Sequence, residues 1–156
     1  MTYDARQIAN WFVERAQRDS RALSIMQLLK LTYIAHGWNL EMKSAPLFSN
    51  NIQAWQYGPV IPEVYNAFRG QGVTISHPVP FGNTVIVPET AQFLEQIYGI
   101  YGGMSPFHLS DITHEAGGPW ELATRMGGPR TPIPNDLIEQ HYRLKRNKAE
   151  AQSSNV

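Results

Sequence analysis

The chain has 156 residues, of which 42% are hydrophobic and 11% aromatic, enough to build one hydrophobic core without disulfides or metals. Lys and Arg together number 13, as do Asp and Glu, so the basic excess typical of nucleic-acid-binding and membrane-surface proteins is missing. The sequence contains no cysteine, no signal peptide and no apolar run of membrane-spanning length. We therefore expect a cytoplasmic protein with no membrane partner and no direct nucleic-acid partner. A net charge of zero also favours self-association, so a homodimer is one alternative.

Two helix starts can be recognised in the first third of the chain. Asp4 followed by Gln7, and Ser24 followed by Gln27, have the spacing of capping boxes, and apolar residues follow each pair at helical intervals. The second helix is predicted to stop at Ser44, where a Ser-Ala-Pro sequence begins.

Gly37 lies inside the second predicted helix, where glycine costs about 1 kcal/mol relative to alanine. Either another group approaches the backbone closely at this position, or the helix is close to its end.

The middle of the chain predicts a short strand, a turn and a third helix. Alternation over residues 52–57 places Trp55 and Tyr57 on one face of an extended segment. Gly58 and Pro59 follow as a turn signal, and a proline suits the first turn of the helix that comes next.

The second half of the chain predicts one hairpin and further helices. Residues 79–87, interrupted by Gly82 and Asn83, have the pattern of a small hairpin, and an apolar helical stripe begins near Thr90. Ser105 followed by proline starts a short helix, and a last helix begins near Asn135.

Taken together, these elements predict an α+β fold that is predominantly α-helical, a single compact domain with a small irregular antiparallel sheet or hairpin. We assign residues 1–146 to this domain and expect residues 147–156 to be a disordered tail, because the composition there is polar and aperiodic. The apolar stripes predict a core that includes Trp11, Leu31, Trp38, Phe68 and Tyr98.

The sharpest polar cluster lies on one short predicted helix. Its members are His108, Asp111, His114 and Glu115, which are spaced so that several share a face. Such a set could hold a divalent metal or position a general base, but it lacks the spacing of a known zinc motif. A polar helix face, with His114 hydrogen-bonded near a helix end, is the interpretation that we favour.

Large aromatic side chains are the better candidates for a binding surface. Trp55, Tyr57 and Trp120 are of the type that dominates protein interfaces, although each could equally fill the core. His36 lies on an otherwise apolar helix, where a single histidine is typically a hydrogen-bonded structural residue.

Four segments carry a resemblance to a known family. They read KLTYIAHGWNL, PLF, IQAWQYGPVIPEVYNAF and LSDITHEAGGPWELA, and in these segments the sequence resembles the Panacea domain. That family, formerly a domain of unknown function, includes SocA-like antitoxins and phage-associated GepA-like proteins. The resemblance extends over residues 4–144. The chain departs from it at Ala45, where relatives often have glycine.

The resemblance implies the antitoxin half of a toxin–antitoxin pair, which binds and neutralises a protein toxin encoded by a neighbouring gene. It also implies an alternative, a proteolytic adaptor or prophage-associated regulatory protein that delivers its partner to a ClpXP-type protease. Many relatives carry a fused DNA-binding domain, for which this chain has no room. A metal-dependent hydrolase centred on the cluster described above is the least favoured alternative.

Our leading hypothesis from the sequence is therefore a non-enzymatic antitoxin without cofactor, catalytic residues or metal. We predict that its partner-binding surface lies around the turn after Trp55. The predicted partner-binding residues are Tyr33, His36, Trp55, Tyr57 and Trp120.

Overall fold

A computed structural model describes residues 2–82 and 85–154, and α-helices account for most of them. In chain order the elements are α1 (Ala5–Arg18), β1 (Leu23–Ser24), α2 (Ile25–Lys43), β2 (Gln53–Trp55), β3 (Gly58–Val60), α3 (Pro62–Phe68), a 3₁₀ turn (Arg69–Gln71), β4 (Thr74–Ile75), α4 (Pro88–Tyr101), α5 (Pro106–Thr113), α6 (Pro119–Gly127) and α7 (Asn135–Ser154). No helix in the described ranges is both long and apolar enough to cross a bilayer.

Helix α2 is the centre of the molecule. Of its 19 residues, 13 are buried, and it packs against α1, α4, α5 and α7. Burial on all sides is the expected environment of a helix that is apolar around most of its circumference. The remaining helices form a shell around α2.

Both predicted capping boxes are confirmed. Ser24 Oγ accepts from the backbone N–H of Gln27 at 3.0 Å, and the Gln27 side chain accepts from the backbone N–H of Ser24 at 2.8 Å. Asp4 and Gln7 form the same reciprocal arrangement at the start of α1. Helix α2 ends where predicted, at Ser44, which adopts a left-handed conformation with φ 51°.

The close approach predicted at Gly37 is also confirmed. A Cβ atom at this position would overlap the ring of Tyr142, because α7 crosses α2 there. Next to the crossing, the indole of Trp38 packs edge-on against Tyr142 with ring centroids 4.9 Å apart, and its N–H donates to the hydroxyl of Tyr101 at 2.9 Å.

The core contains most of the residues that the apolar stripes predicted. Leu31, Phe68 and Tyr98 are buried, whereas Trp11 and Trp38 are half-buried and pack against the core from its edge. Each of these indoles is too large for complete burial at a helix–helix boundary.

Two antiparallel strand pairs complete the fold. Strand β1 pairs with β4, and β2 pairs with β3 in a tight hairpin in which Gln53 lies opposite Val60 and Trp55 lies opposite Gly58. The prediction of a mostly helical α+β fold with a small antiparallel sheet is thus confirmed. The turn itself, however, consists of Gln56 and Tyr57 rather than Gly58-Pro59, which begin the second strand.

The hairpin predicted over residues 79–87 is wrong for its described part. Residues 79–82 and 85–87 contain no strand, and Asn83, in the predicted turn, lies outside the described residues. The Asn10 side chain donates to the Val79 carbonyl and accepts from the Val79 N–H, both at 2.8 Å. These bonds take the place of a strand partner, so the segment lies along α1 as a loop.

Helix α7 continues through Ser154, beyond the boundary that the composition predicted at residue 147. Residues 146–153 are exposed, so this part of the helix lacks the packing that stabilises α7 nearer its start. Disorder of residues 147–156 in solution stays a prediction.

Candidate partner-binding groove

A groove of about 770 Å³ opens between the start of α2, the β2–β3 hairpin and α6. Most of its wall is apolar or aromatic. The lining residues are Ile25, Met26, Leu29, Lys30, Ala54, Trp55, Gln56, Tyr57, Val60, Tyr65, Trp120, Thr124, Pro129 and Arg130. Three of the five predicted partner-binding residues, Trp55, Tyr57 and Trp120, therefore line one surface.

The loop after α6 fixes one wall of the groove by running alongside β2. The N–H of Arg130 donates to the carbonyl of Ala54 at 2.7 Å, and the N–H of Ala54 donates to the carbonyl of Thr131 at 2.9 Å. A further bond joins the N–H of Ile133 to the carbonyl of Ile52 at 2.7 Å. This irregular third strand covers the β2 edge and positions Arg130 at the groove.

Trp55 is held in place from several directions. Its indole N–H donates to the side-chain oxygen of Gln53 at 2.8 Å, and the Tyr65 ring packs against it with centroids 5.2 Å apart. The Arg130 guanidinium lies over the indole face, 4.3 Å from the ring centroid. A cation in that position is attracted by the ring quadrupole, so Arg130 and Trp55 form one stiff wall.

Trp120 also lines the groove and is bonded directly to the hairpin. The indole N–H of Trp120 donates to the carbonyl of Trp55 at 2.6 Å, and its ring lies 5.2 Å from that of His114. Tyr57 at the turn leaves 62% of its surface exposed, while its carbonyl accepts from the hydroxyl of Ser110 at 2.8 Å. The backbone of the turn is thus held while its aromatic side chain faces solvent.

Lys30 is the polar group at the base of the groove. Its side chain is buried, with 1% of its surface exposed, and its ammonium donates to the carbonyl of Pro59 at 2.9 Å. Burial lowers the pKa of Lys30 to about 7, because the low-dielectric surroundings disfavour the charged form. Among the described residues no carboxylate forms an ion pair with it.

Gly58 allows the lysine to reach this position. Its φ of +116° strongly disfavours other residues, and a Cβ atom there would lie 3.1 Å from Lys30 Nζ and 3.4 Å from Nδ1 of His114. The positive φ thus favours glycine at the first residue of β3, and the lack of a Cβ leaves room for the Lys30 ammonium beside it.

The other two predicted partner-binding residues lie in the core beneath α7. Tyr33 is 1% exposed and His36 is fully buried, because both are on the part of α2 that other helices cover. In this structure both side chains are covered by the rest of the chain, so their role in partner binding stays a prediction. His36 stacks on Phe48 at 4.1 Å and its Nε2 lies 2.9 Å from the Asn135 side-chain oxygen.

Burial also determines the protonation of these two groups. It lowers the pKa of His36 to about 4, with the hydrogen bond to Asn135 opposing part of the shift. It raises the pKa of Tyr33 above its ordinary value, and the negative charge of Glu115 adds to the effect. At neutral pH both side chains are uncharged.

Comparison with known proteins places this chain in a family. The sequence model of the family described as "Antitoxin SocA-like, Panacea domain" matches residues 28–121. The curated protein "Antitoxin SocA" of Caulobacter vibrioides (strain NA1000 / CB15N) is 32% identical over 141 residues, covering 83% of this chain and 74% of that protein. This chain belongs to the SocA-like antitoxins with a Panacea domain. The resemblance found from the sequence is confirmed, and no solved structure matches the chain.

The part of the chain that matches the Panacea domain contains most of the groove. Residues 28–121 include Lys30, Trp55, Tyr57 and Trp120. Arg130 lies beyond the match and reaches the groove through the loop that covers β2.

In this SocA-like chain the predicted polar cluster is divided, because α5 ends at Thr113 and His114 and Glu115 follow it. Among the described residues no group of three or more His, Cys, Asp or Glu side chains is arranged to hold a metal. His114 Nδ1 lies 3.3 Å from the hydroxyl of Ser110, whereas Glu115 forms ion pairs with Lys145 at 2.7 Å and with His141 at 3.2 Å. His114 and Glu115 therefore have structural partners on separate elements.

Sequence reasoning missed the two cationic residues that line the groove, Lys30 and Arg130. Lys30 was detectable, since it is a charged residue between leucines on a helix that is otherwise apolar. Arg130 gave no comparable signal, because only the pairing of its loop with β2 brings it to Trp55.

Proposed function

We propose that this chain is an antitoxin that neutralises a protein toxin, encoded by a neighbouring gene, by binding it directly at the groove. Membership of the SocA-like family supports the antitoxin role. The observation that carries the binding site is the groove between Trp55 and Trp120, with Tyr57 exposed beside it.

The geometry suits binding of a protein chain. The two indoles already donate their N–H groups to partners within the chain, so their faces can be covered without leaving a buried donor unsatisfied. Walls that are rigid before binding lose little conformational entropy when a partner arrives. We infer a non-enzymatic function, in which the surface binds and no bond is made or broken.

Tyr57→Ala tests the site. Truncating an exposed aromatic at the centre of an interface should weaken toxin binding by about 2 kcal/mol, roughly 30-fold, without unfolding the protein. Binding of the purified neighbouring gene product would be measured by calorimetry, and folding by circular dichroism. In cells, the variant should fail to restore growth when that gene is induced.

Ile100→Ala is the matched control. Ile100 on α4 exposes the same 62% of its surface as Tyr57 but does not line the groove. Its truncation should leave binding and growth rescue unchanged. If Tyr57→Ala binds as tightly as Ile100→Ala, the groove is not the toxin-binding surface.

Toxin levels measured in the cells of the same growth assay separate sequestration from delivery to a ClpXP-type protease. Under sequestration the toxin accumulates in complex with the antitoxin, and its level is the same in a strain lacking the protease. Under delivery the toxin level falls only where the protease is present.

A further inference from the structure

Arg130 is the accessible cation of the groove. Its side chain is exposed, and its guanidinium lies over the indole of Trp55, 4.3 Å from the ring centroid. Contact with an aromatic face involves the positive charge and uses none of the five N–H donors of a guanidinium. Among the described residues no carboxylate pairs with Arg130, and Glu121 on nearby α6 pairs with Arg125 instead, at 3.2 Å. The donors of Arg130 are therefore available to a ligand.

The backbone holds Arg130 in a conformation that arginine seldom adopts. Its φ is +61°, in the left-handed region that is costly for a residue with a Cβ atom. The N–H of Arg130 donates to the carbonyl of Ala54 at 2.7 Å, a bond that a glycine could form equally well. The pairing with β2 therefore does not by itself favour an arginine here. Backbone strain of this kind is found at ligand clamps, and in this loop it fixes a cation at the groove.

The lining of the groove carries positive charge and no negative charge. Arg130 and Lys30 both line it, whereas no Asp or Glu does so among the described residues. Because Lys30 is buried and donates to the carbonyl of Pro59, Arg130 is the cation that a ligand in the groove can reach. The whole chain has a net charge of zero, so the imbalance is local to the groove. Its complement is a segment that places a carboxylate beside apolar side chains.

We propose that the groove binds a segment of the toxin in which an Asp or Glu side chain lies next to apolar residues. The carboxylate forms an ion pair with Arg130, whose planar fork accommodates both carboxylate oxygens, and the apolar residues cover the indoles of Trp55 and Trp120. This proposal rests on the proposed function for the identity of the partner. The chemistry of the ligand rests on Arg130 and the groove alone.

The first experiment measures binding of the purified neighbouring gene product to Arg130→Gln. Glutamine keeps part of the unbranched stem and removes the charge, and the exposed position should leave the circular dichroism spectrum unchanged. Affinity should fall about tenfold, equivalent to about 1.4 kcal/mol, because an arginine inside an interface loses its partner.

Arg18→Gln is the matched control. Arg18 lies on α1, is exposed, lines a different cavity and has no ion pair among the described residues. Its substitution removes the same charge from the chain and so accounts for long-range electrostatic effects on binding. It should bind as wild type does. If Arg130→Gln binds as tightly as Arg18→Gln, the proposal is overturned, while tight binding by both leaves the proposed function standing.

Toxin variants with single Asp→Asn or Glu→Gln changes identify the carboxylate. One of them should bind wild type about tenfold more weakly and show no further loss with Arg130→Gln, because the two changes remove the same ion pair. A merely structural role of Arg130 would lower the affinity for all toxin variants alike. If no Asp or Glu of the toxin is coupled to Arg130 in this way, the proposal is wrong.

A third experiment uses the wild-type protein and does not depend on the toxin. The blocked peptides acetyl-Leu-Asp-Leu-amide and acetyl-Leu-Asn-Leu-amide have nearly the same shape and differ in charge. Titrated at millimolar concentration, the Asp peptide should bind about threefold tighter or better and shift the NMR signals of the Arg130 Nε–H and the Trp55 indole N–H. Equal binding of the two peptides, or binding of neither, overturns the inference. If the Asp peptide binds at Arg130 and the neighbouring gene product does not bind, the proposed partner is wrong and the site for an acidic segment stands.

Discussion

Lys30 and His36 are buried on the same helix, and burial lowers the pKa of both side chains. The lowered pKa leaves the His36 imidazole neutral at neutral pH, with one hydrogen-bonded nitrogen and one buried nitrogen, Nδ1, without a hydrogen bond in the described structure. His36 has an acceptor, the Asn135 oxygen, for an Nε2–H, and its ring stacks on Phe48. These contacts within the chain agree with the structural role that is typical of a single histidine on an apolar helix, whereas its role in partner binding stays a prediction.

Because His36 is neutral in the folded state, stability should fall in acid. The unfolded chain takes up a proton as the pH drops below 6.5, whereas folded His36 resists protonation until about pH 4. The contribution of neutral His36 to the free energy of unfolding is therefore fully present above pH 6.5. Up to about 3 kcal/mol of it is lost as the pH falls to 4 and below. Urea unfolding of wild type and His36→Gln between pH 7 and 4 measures this loss. The variant should show a flatter profile, and parallel profiles would exclude His36 as the cause.

Gly37→Ala tests the crossing of α2 and α7. A Cβ atom would overlap the Tyr142 ring, so the helices must shift, at a cost of about 1–3 kcal/mol in the free energy of unfolding.

Gly99→Ala is the control for helix propensity. Gly99 lies in α4 with no heavy atom within 4 Å of a Cβ built there, so alanine should stabilise the protein by about 0.5–1 kcal/mol. Urea denaturation of both variants gives the comparison. If both substitutions change the free energy of unfolding in the same direction, the crossing tolerates a methyl group.

At the scale of elements, local signals in the sequence were sufficient for most helices. The capping boxes at Asp4 and Ser24 and the Ser105-Pro106 start involve residues within one turn of each other, so they can be recognised without the tertiary structure. Gly37 was informative for a similar reason, since an unfavourable residue inside a strong helix indicates a close packing contact.

Elements that depend on distant residues could not be predicted in this way. The pattern of residues 79–87 predicts strands, but the backbone of Val79 bonds instead to the side chain of Asn10, which is far away in sequence. The groove forms only when the loop around Arg130 pairs with β2. Tyr33 and His36 are buried because α7, which follows nearly a hundred residues later in the chain, covers them. Residue type singled out Trp55 and Trp120, which line the groove, but gave no information on exposure.

Arg146 joins α7 to the buried face of α2. This guanidinium pairs with Glu41 at 2.5 Å, and the Glu41 side chain is only 2% exposed. Arg146→Ala leaves a buried carboxylate without its cation and should cost roughly 1–3 kcal/mol in stability.

Arg143→Ala is the control for this prediction. Arg143 pairs with Glu139 on the same helix, and its exposure of 49% nearly equals the 48% of Arg146, but its partner is more accessible at 24%. The cost should be below about 0.5 kcal/mol. Thermal unfolding of the two variants would be compared, and equal midpoints would show that the Glu41 pair contributes nothing.

At the scale of the whole molecule, protection of backbone amides from hydrogen exchange should decrease from α2 outward. An enclosed helix opens only when its neighbours leave, so amides of α2 should exchange with solvent at the rate of global unfolding. Amides of residues 147–153, which are exposed on α7, should exchange within the shortest times measured. Hydrogen exchange followed by mass spectrometry tests both statements. Protection of residues 147–153 equal to that of α2 would contradict the predicted tail.

The enclosure of α2 has a consequence for folding while the protein is synthesised on the ribosome. His36 and Asn135 are 99 residues apart, so at about 5–20 residues per second the helix waits roughly 5–20 seconds before the segment that covers it has been synthesised. Throughout that interval the face of α2 that α7 later covers is exposed to chaperones and proteases. Interruption of translation before α7 is made would therefore leave a fragment without a closed core.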